Sequence, residues 1–573
     1  MPERVAGYPH IVDASASFDT YGDRLRGWPP GDLMNPDYRA DVVIAGGGLA
    51  GLATAFESLD RGLRVLILER DSEDRLGGLA KRSFGGVMFV DTPHQRKLGI
   101  HDNPELAWAD WQSFADFGAD DDWPRRWARS YVERSTEMIH DWLTGCGVKF
   151  LPVVNWAERG LFRPGNSVPR WHIAWGTGFA IIEAVIAALE RHPHHERLQI
   201  RYNHRVDRLL VEAGRVVGCA GGFEGEEGEF EARADHVVLA SGGICGGDLS
   251  KVRANWYKPW GAPPETLLNG SHRFADGLLH DEAERHGAAL THLDKQWHYA
   301  AGVHAKTTER LGDGVSLVPP RSALWLDARG RRFGPMPLMG YSDTRWLVEQ
   351  ICHTPEQYSW QVLNWKIAIK ELAVSGCDYM TAFRNKRKLQ LVREVVFGNK
   401  ALVNRLIEDS GDFVVADTLP ELMEKMDVLS LPGVTIDRET MGADIRAYDA
   451  QIDRGERYFN DDQLRRIAAF RQYKGDRLRT CAFQKIDDPG ARPLIAIREF
   501  ILSRKSLGGV QTDLESRVLD RTGNPIPGLY AVGETAGFGG GGIHGKGSLE
   551  GTFLGSCVLT GRLAGRAIGG ATA

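Results

Sequence analysis

Residues 40–70 read ADVVIAGGGLAGLATAFESLDRGLRVLILER, and the order of residue types in this stretch decides the fold. Residues 41–45 form a short apolar strand. Gly46-Gly47-Gly48-Leu49-Ala50-Gly51 then fits G-x-G-x-x-G, residues 52–60 read as a helix, and residues 63–68 read as a second strand closed by Glu69. Each part has a physical job. Gly46 permits the tight turn, the missing side chain at Gly48 lets a pyrophosphate approach the backbone, and Gly51 lets helix pack on strand. The helix N-terminus offers free N–H groups and a partial positive charge to phosphates. Glu69 stands where a carboxylate accepts hydrogen bonds from ribose hydroxyls, with Arg70 beside it. A glycine-rich turn alone is common; strand, turn, helix, strand and terminal acid in this order point to an adenine dinucleotide.

Length and composition bound the rest. The chain has 573 residues, 42% of them hydrophobic, enough for two to four units with sizeable cores. A net charge of −6 gives no basic footprint for nucleic acid, and the densest basic run, Arg384-Asn385-Lys386-Arg387-Lys388, reads as a solvated helix face. Seven scattered cysteines without C-x-x-C fit a reducing compartment and offer no metal site. No apolar run approaches the ~20 residues of a membrane span. The first forty residues lack the apolar core of a signal peptide, so the expectation is a cytoplasmic protein.

Residues 1–37 read as an N-terminal extension. The α/β pattern occupies residues 38–292 and returns over 494–573, the two parts of one discontinuous dinucleotide domain. Residues 205–210 and 215–220 form a hairpin-like pair that contains Val206. Residues 236–240 run as a strand into Ser241-Gly242-Gly243, so Val206, Ala240, Ser241 and Gly242 are candidate cofactor contacts at strand ends, where open α/β sheets bind ligands. Residues 293–493 change texture, with helical patterns at 344–351, 362–373, 420–429 and 461–473 and many aromatics, and read as an inserted α+β cap. The fold class is thus α/β, Rossmann-like, with a cap domain.

The C-terminal segment separates flavin from nicotinamide. Ile526-Pro527-Gly528-Leu529-Tyr530-Ala531-Val532-Gly533-Glu534 resembles the second flavin motif of FAD-dependent oxidoreductases, in which the acid binds the ribityl chain. Leu76-Gly77-Gly78-Leu79 through Ser83-Phe84-Gly85-Gly86 resembles the loop that passes the diphosphate and the isoalloxazine. Gly551-Thr552-Phe553-Leu554 resembles the start of the closing helix, whose N-terminus faces the flavin pyrimidine. Together these motifs resemble the succinate dehydrogenase/fumarate reductase flavoprotein superfamily, which includes 3-ketosteroid dehydrogenases.

The resemblance implies FAD as cofactor. It also implies hydride exchange between flavin N5 and a carbon–carbon bond activated by a carbonyl, in an apolar or cyclic, ketosteroid-like substrate. Leu79 stands where membrane-bound succinate dehydrogenases carry a histidine bonded to the flavin, which implies non-covalent FAD. Ser548 replaces the arginine that clamps dicarboxylates in fumarate reductases, so a planar bidentate contact is missing. Arg504-Lys505 replaces the family's histidines before a Gly-Gly turn. Arg345 matches an arginine that relays protons. The candidate catalytic residues are therefore Arg345, His544, Lys505 and Tyr299, the last from Trp297-His298-Tyr299 at the start of the cap. Arg170 and His172 fall in a run that resembles a loop near the flavin. His192-Pro193-His194-His195 reads as a surface turn, without a metal ligand set. A soluble fumarate-type reductase, a flavin monooxygenase and a non-catalytic FAD-binding protein are the alternatives. Without a second nucleotide fold, electrons are expected to leave to a quinone or a partner redox protein.

Overall fold

The computed structural model describes residues 37–570 except 311 and 341; the expected N-terminal extension lies almost wholly outside the described residues. Strand Val42–Ala45, helix Leu49–Asp60 and strand Val65–Leu68 follow one another in the order read from the motif. Both strands are apolar at every position and fully buried, as strands covered on both faces must be. They lie inside a six-stranded sheet ordered Arg517–Leu519, Pro525–Ala531, His236–Leu239, Val42–Ala45, Val65–Leu68, Leu198–Arg201. All pairings are parallel except at the Arg517–Leu519 edge. Residues 525–531 are thus hydrogen-bonded beside strand His236–Leu239, which joins the two ends of the chain into one sheet.

The closing helix Thr552–Ile568 packs along helix Leu49–Asp60 through small residues. A Cβ on Gly561 would stand 2.3 Å from the Ala50 carbonyl oxygen, and one on Gly565 would stand 2.6 Å from Glu57 Cβ. The same contact is pinned by a buried ion pair, Arg562 to Glu57, with Arg562 Nη1 also donating to Met138 O at 2.7 Å.

The cap is half sheet. Strand Leu494–Ser506 is its centre, flanked by Tyr358–Asn364 and Gln296–His304, with Leu324–Asp327 and Gly314–Val318 outside them. Its sequence places that strand in the nucleotide domain. By pairing it belongs to the cap sheet, and the return to the first sheet follows Ser506. Residues 362–373, expected as one helix, are the end of strand Tyr358–Asn364, helix Trp365–Glu371 and strand Ala373–Val374. Asn364 caps that helix by accepting from the Ile367 N–H, so the helix cannot begin earlier. None of the described helices is long and apolar enough to cross a membrane.

Candidate functional site: a flavin-sized cleft with a charged wall

Two cavities meet at the C-terminal ends of the parallel strands. The inner one is lined by Gly46, Gly48, Leu49, Ala50, Glu69 and Arg70 from the first motif. Gly77, Gly78, Val206, Ala240, Ser241, Gly242, Gly533 and Glu534 complete much of its wall. The outer cavity lies under the cap and takes Ser83, Gly85, Gly86, Gly551, Phe553 and Leu554 from the later motifs. Leu79, Ala80, Glu534 and Cys557 line both, so the two are one elongated cleft. Two of the cofactor candidates stay outside it. Gly51 is packed against the Gly46 carbonyl oxygen, where a Cβ would stand at 2.1 Å, and Thr552 is turned away into the helix start.

The residues present fit an adenine dinucleotide. Gly46 has φ +115°, and a Cβ there would stand 2.4 Å from Ala240 O, so only glycine makes this turn. A Cβ on Gly48 would meet nothing within 4 Å, which leaves room beside the helix N-terminus for phosphate oxygens. Glu69 accepts from the Gly47 and Asp71 N–H groups, each at 2.7 Å, which fixes its carboxylate at the cavity edge with lone pairs to spare. Arg70 is held by Glu224 at 2.6 Å and Asp276 at 2.7 Å and covers the Phe274 ring. His272, Phe274, Ala275, Asp276, Leu278 and Leu279 line this end as well, and no local motif announces them. Glu534 accepts from Ser506 N at 2.9 Å, and burial raises its pKa.

The outer cavity carries the reactive polar groups. Lys505 pairs opposite Trp297 across the central cap strands, and Tyr299, two residues further on, shares that face. Lys505 Nζ reaches Tyr299 Oη at 3.2 Å, and the Tyr299 hydroxyl donates to Glu550 Oε1 at 2.9 Å. Trp297 Nε1 donates to the same oxygen at 3.3 Å. Burial brings Lys505 down to about 8, with Glu550 opposing the shift. Burial and the Glu550 charge push Tyr299 well above its ordinary value. Glu158, which also lines this cavity, is pushed well up by burial and by the Glu550 charge. Its carboxyl accepts from Thr344 N at 3.1 Å, at the start of cap helix Thr344–Cys352. Arg504 lines the cavity with its Nε unpartnered, and burial lowers its pKa.

Two of the four catalytic candidates are therefore together, Tyr299 and Lys505; the other two are not in the cavity. His544 is fully buried, stacked on Trp111 at 5.8 Å between ring centroids, and hydrogen-bonded to Thr552 Oγ1 at 2.8 Å. Phe553 lies 4.8 Å from its ring and itself lines the cavity. Arg345 donates to Lys546 O at 2.8 Å and lies over the Tyr257 and Trp260 rings, a buried stack that draws it away from the cavity. Ser548 spends its hydroxyl on Thr552 and Leu549. Arg170 and His172 are structural: strand alternation turns Trp171 toward the cavity, while Arg170 is forked onto Asp102 and also pairs with Asp110. His172 bonds Thr92 Oγ1 at 2.9 Å. His192 pairs with Asp60 at 3.0 Å, and no metal-binding cluster occurs among the described residues. Glu158 and Glu550 were not selected from the sequence, since nothing local to either predicts the partner that faces it.

With this geometry in hand, comparison with known proteins gives the class. Residues 41–554 match the family model described as an FAD binding domain, and the chain belongs to that family of FAD-dependent oxidoreductases. Among curated relatives, it is 42% identical over 547 residues to a KsdD-like steroid dehydrogenase of Mycobacterium tuberculosis, covering 92% of this chain and 95% of that protein. Among solved structures, it is similar to 3-ketosteroid delta1-dehydrogenase from Sterolibacterium denitrificans, with a TM-score of 0.69 at 16% identity over 93% of this chain and 99% of that one. A second is 3-ketosteroid-delta4-(5alpha)-dehydrogenase from Rhodococcus jostii RHA1, with a TM-score of 0.63 at 23% identity over 93% and 97%. At such identities the two structures establish the fold alone.

Proposed function

We propose that the chain dehydrogenates a ketosteroid-like substrate, removing a proton from the carbon beside the ketone and a hydride from the next carbon to leave a conjugated C=C bond. When bound, FAD supplies the hydride acceptor. The observation that carries this reading is the Tyr299 hydroxyl, held between Lys505 and Glu550 on the wall of a cavity continuous with the dinucleotide cleft. The α-proton passes to Tyr299 Oη as the phenol's own proton moves along its existing hydrogen bond to Glu550 Oε1. Neither residue then has to hold a bare phenolate, which the raised pKa of Tyr299 would make costly. Ala300, Ala301, Leu317, Val318 and Leu347 offer apolar contacts suited to fused-ring carbons and exclude water from the proton path.

The fumarate-type alternative lacks support at two positions, since Ser548 and Arg345 both lie outside the cavity. One dinucleotide cleft among the described residues supports a quinone or a partner redox protein as electron acceptor. Seven free cysteines support a reducing, cytoplasmic setting. The test is anaerobic mixing of the yellow holoprotein with 4-androstene-3,17-dione. Bleaching of the flavin and a product lighter by two hydrogens are expected. A flavin that dithionite bleaches but a panel of ketosteroids leaves untouched defeats the proposal, and substrate hydroxylation on admitting oxygen favours the monooxygenase.

A further inference from the structure

Helix Lys388–Phe397 has no buried residue. Leu389, Val392, Val396 and Phe397 are 90%, 61%, 58% and 72% exposed. Their spacing of i, i+3, i+7 and i+8 sets them along one stripe of the helix. So large an apolar stripe on a surface helix marks an interaction face. The charges around it are mostly positive. Lys386, Arg387, Lys388, Arg393 and Lys400 are all exposed, and among the described residues none forms an ion pair within 4 Å. The helix's single acid, Glu394, is half-buried and accepts hydrogen bonds from Gln390 at 2.8 Å and Asn399 at 3.3 Å. Lys366, Lys370 and Arg477 line the hollow beside Val396 and Phe397.

We propose that this helix docks the protein on an anionic phospholipid surface, its apolar stripe entering the acyl boundary while the flanking cations meet lipid phosphates. Apolar side chains ringed by unpaired cations match the two signals of interfacial helices, buried apolar area and attraction to acidic headgroups. A soluble protein partner would answer the apolar stripe, but five exposed cations against the single acid Glu394 call for a surface dense in negative charge.

The position gives the docking a use. Arg384, which ends helix Thr381–Arg384 directly before the basic run, lines a cleft together with Asp378 and Tyr379. That cleft shares Ser316, Val374, Ser375 and Arg504 with the outer cavity, so the lipid-facing helix stands beside a path to the site. An apolar substrate or a lipid-soluble electron acceptor could enter from the bilayer without crossing water. The docking surface itself does not depend on which substrate is turned over.

The test is co-sedimentation of the FAD-loaded protein with vesicles of phosphatidylcholine alone and of phosphatidylcholine mixed with phosphatidylglycerol. Binding to the mixed vesicles is expected, weakening as salt rises. The triple change Arg387→Glu, Lys388→Glu and Arg393→Glu is expected to weaken it on the order of 100-fold. Leu389→Asp with Phe397→Asp should weaken it at least about tenfold. Retained flavin colour and an unchanged melting temperature certify that both variants fold. Wild-type protein that stays in the supernatant with both vesicle types overturns the proposal. So does binding that both variants keep, or a dimer that the Leu389→Asp, Phe397→Asp variant dissociates in the absence of any vesicle binding. None of these outcomes requires turnover, so a failed steroid assay leaves the result legible.

Discussion

Replacing Tyr299 by phenylalanine removes one oxygen from the centre of the charged wall and nothing else. Lys505 Nζ then loses its acceptor at 3.2 Å, and Glu550 Oε1 keeps only the longer contact from Trp297 at 3.3 Å. Leaving such groups underbonded costs about 1–3 kcal/mol of stability, tolerable in a chain of this size. The cost to catalysis is larger. A positioned acid–base group contributes roughly 100- to 10,000-fold, or about 2.7–5.5 kcal/mol of barrier, and the variant loses the hydroxyl that links the cavity to Glu550. Stopped-flow bleaching of the flavin by a ketosteroid measures the step directly, with FAD content as the control, because Tyr299 lines the outer cavity and not the nucleotide end. The pH profile adds a second readout. Below about 8, protonated Lys505 donates to Tyr299 Oη and makes that oxygen a poorer proton acceptor; above it the amine is neutral and the restraint is gone. Dehydrogenation by the native chain should therefore rise with pH and level off above about 8, and Lys505→Met should flatten that rise. A Tyr299→Phe enzyme that bleaches within about twofold of the native rate would refute the relay.

Gly48→Val should give a colourless protein that melts like the native apoprotein, because the new side chain enters open space in the nucleotide cavity. Gly46→Ala should instead lower the melting temperature itself, since it collides with Ala240 O at a positive φ; strain of this kind costs on the order of 1–3 kcal/mol. Arg562→Met leaves Glu57 partly unpaired in the interior. Denaturant titration should show a loss approaching 3–5 kcal/mol, about the range for broken buried pairs, reduced by the second contact from Arg566 at 3.1 Å. His544→Phe preserves the stack on Trp111 and should change bleaching by no more than about threefold, roughly 0.7 kcal/mol, while lowering stability through the lost Thr552 bond. Acid precipitation should release all the flavin, because Leu79 offers no heteroatom to the ring; colour in the pellet would count against it.

What could be read from sequence follows from how local the determining interactions are. The first flavin motif is legible because turn, close approach and helix packing each demand glycine at a fixed offset within six residues. The cap was not. Residues 362–373 carry apolar spacing compatible with a helix, yet Val362 and Leu363 pair with Ala496 and Ile495 on a strand more than a hundred residues away. The same limit governs the site. Arg345 sits at the expected helix start with Asp343 as its cap, but the direction of its side chain is set by Tyr257 and Trp260, which no pattern around residue 345 announces.

Tyr299 and Glu550 illustrate the converse. They are 251 residues apart, and each is unremarkable in its own segment. The cap strand supplies the hydroxyl and the turn before the closing helix supplies the carboxylate, so the proposed relay requires cap and nucleotide domain to be closed on one another. Glu158 adds to this coupling by accepting from the N-terminus of cap helix Thr344–Cys352 while the Glu550 charge acts on it. A cap that swung away would separate the phenol from its carboxylate and strand Glu158 at the same moment. On the proposed relay, proton transfer would be tied to closure, the conformation that also shuts water out.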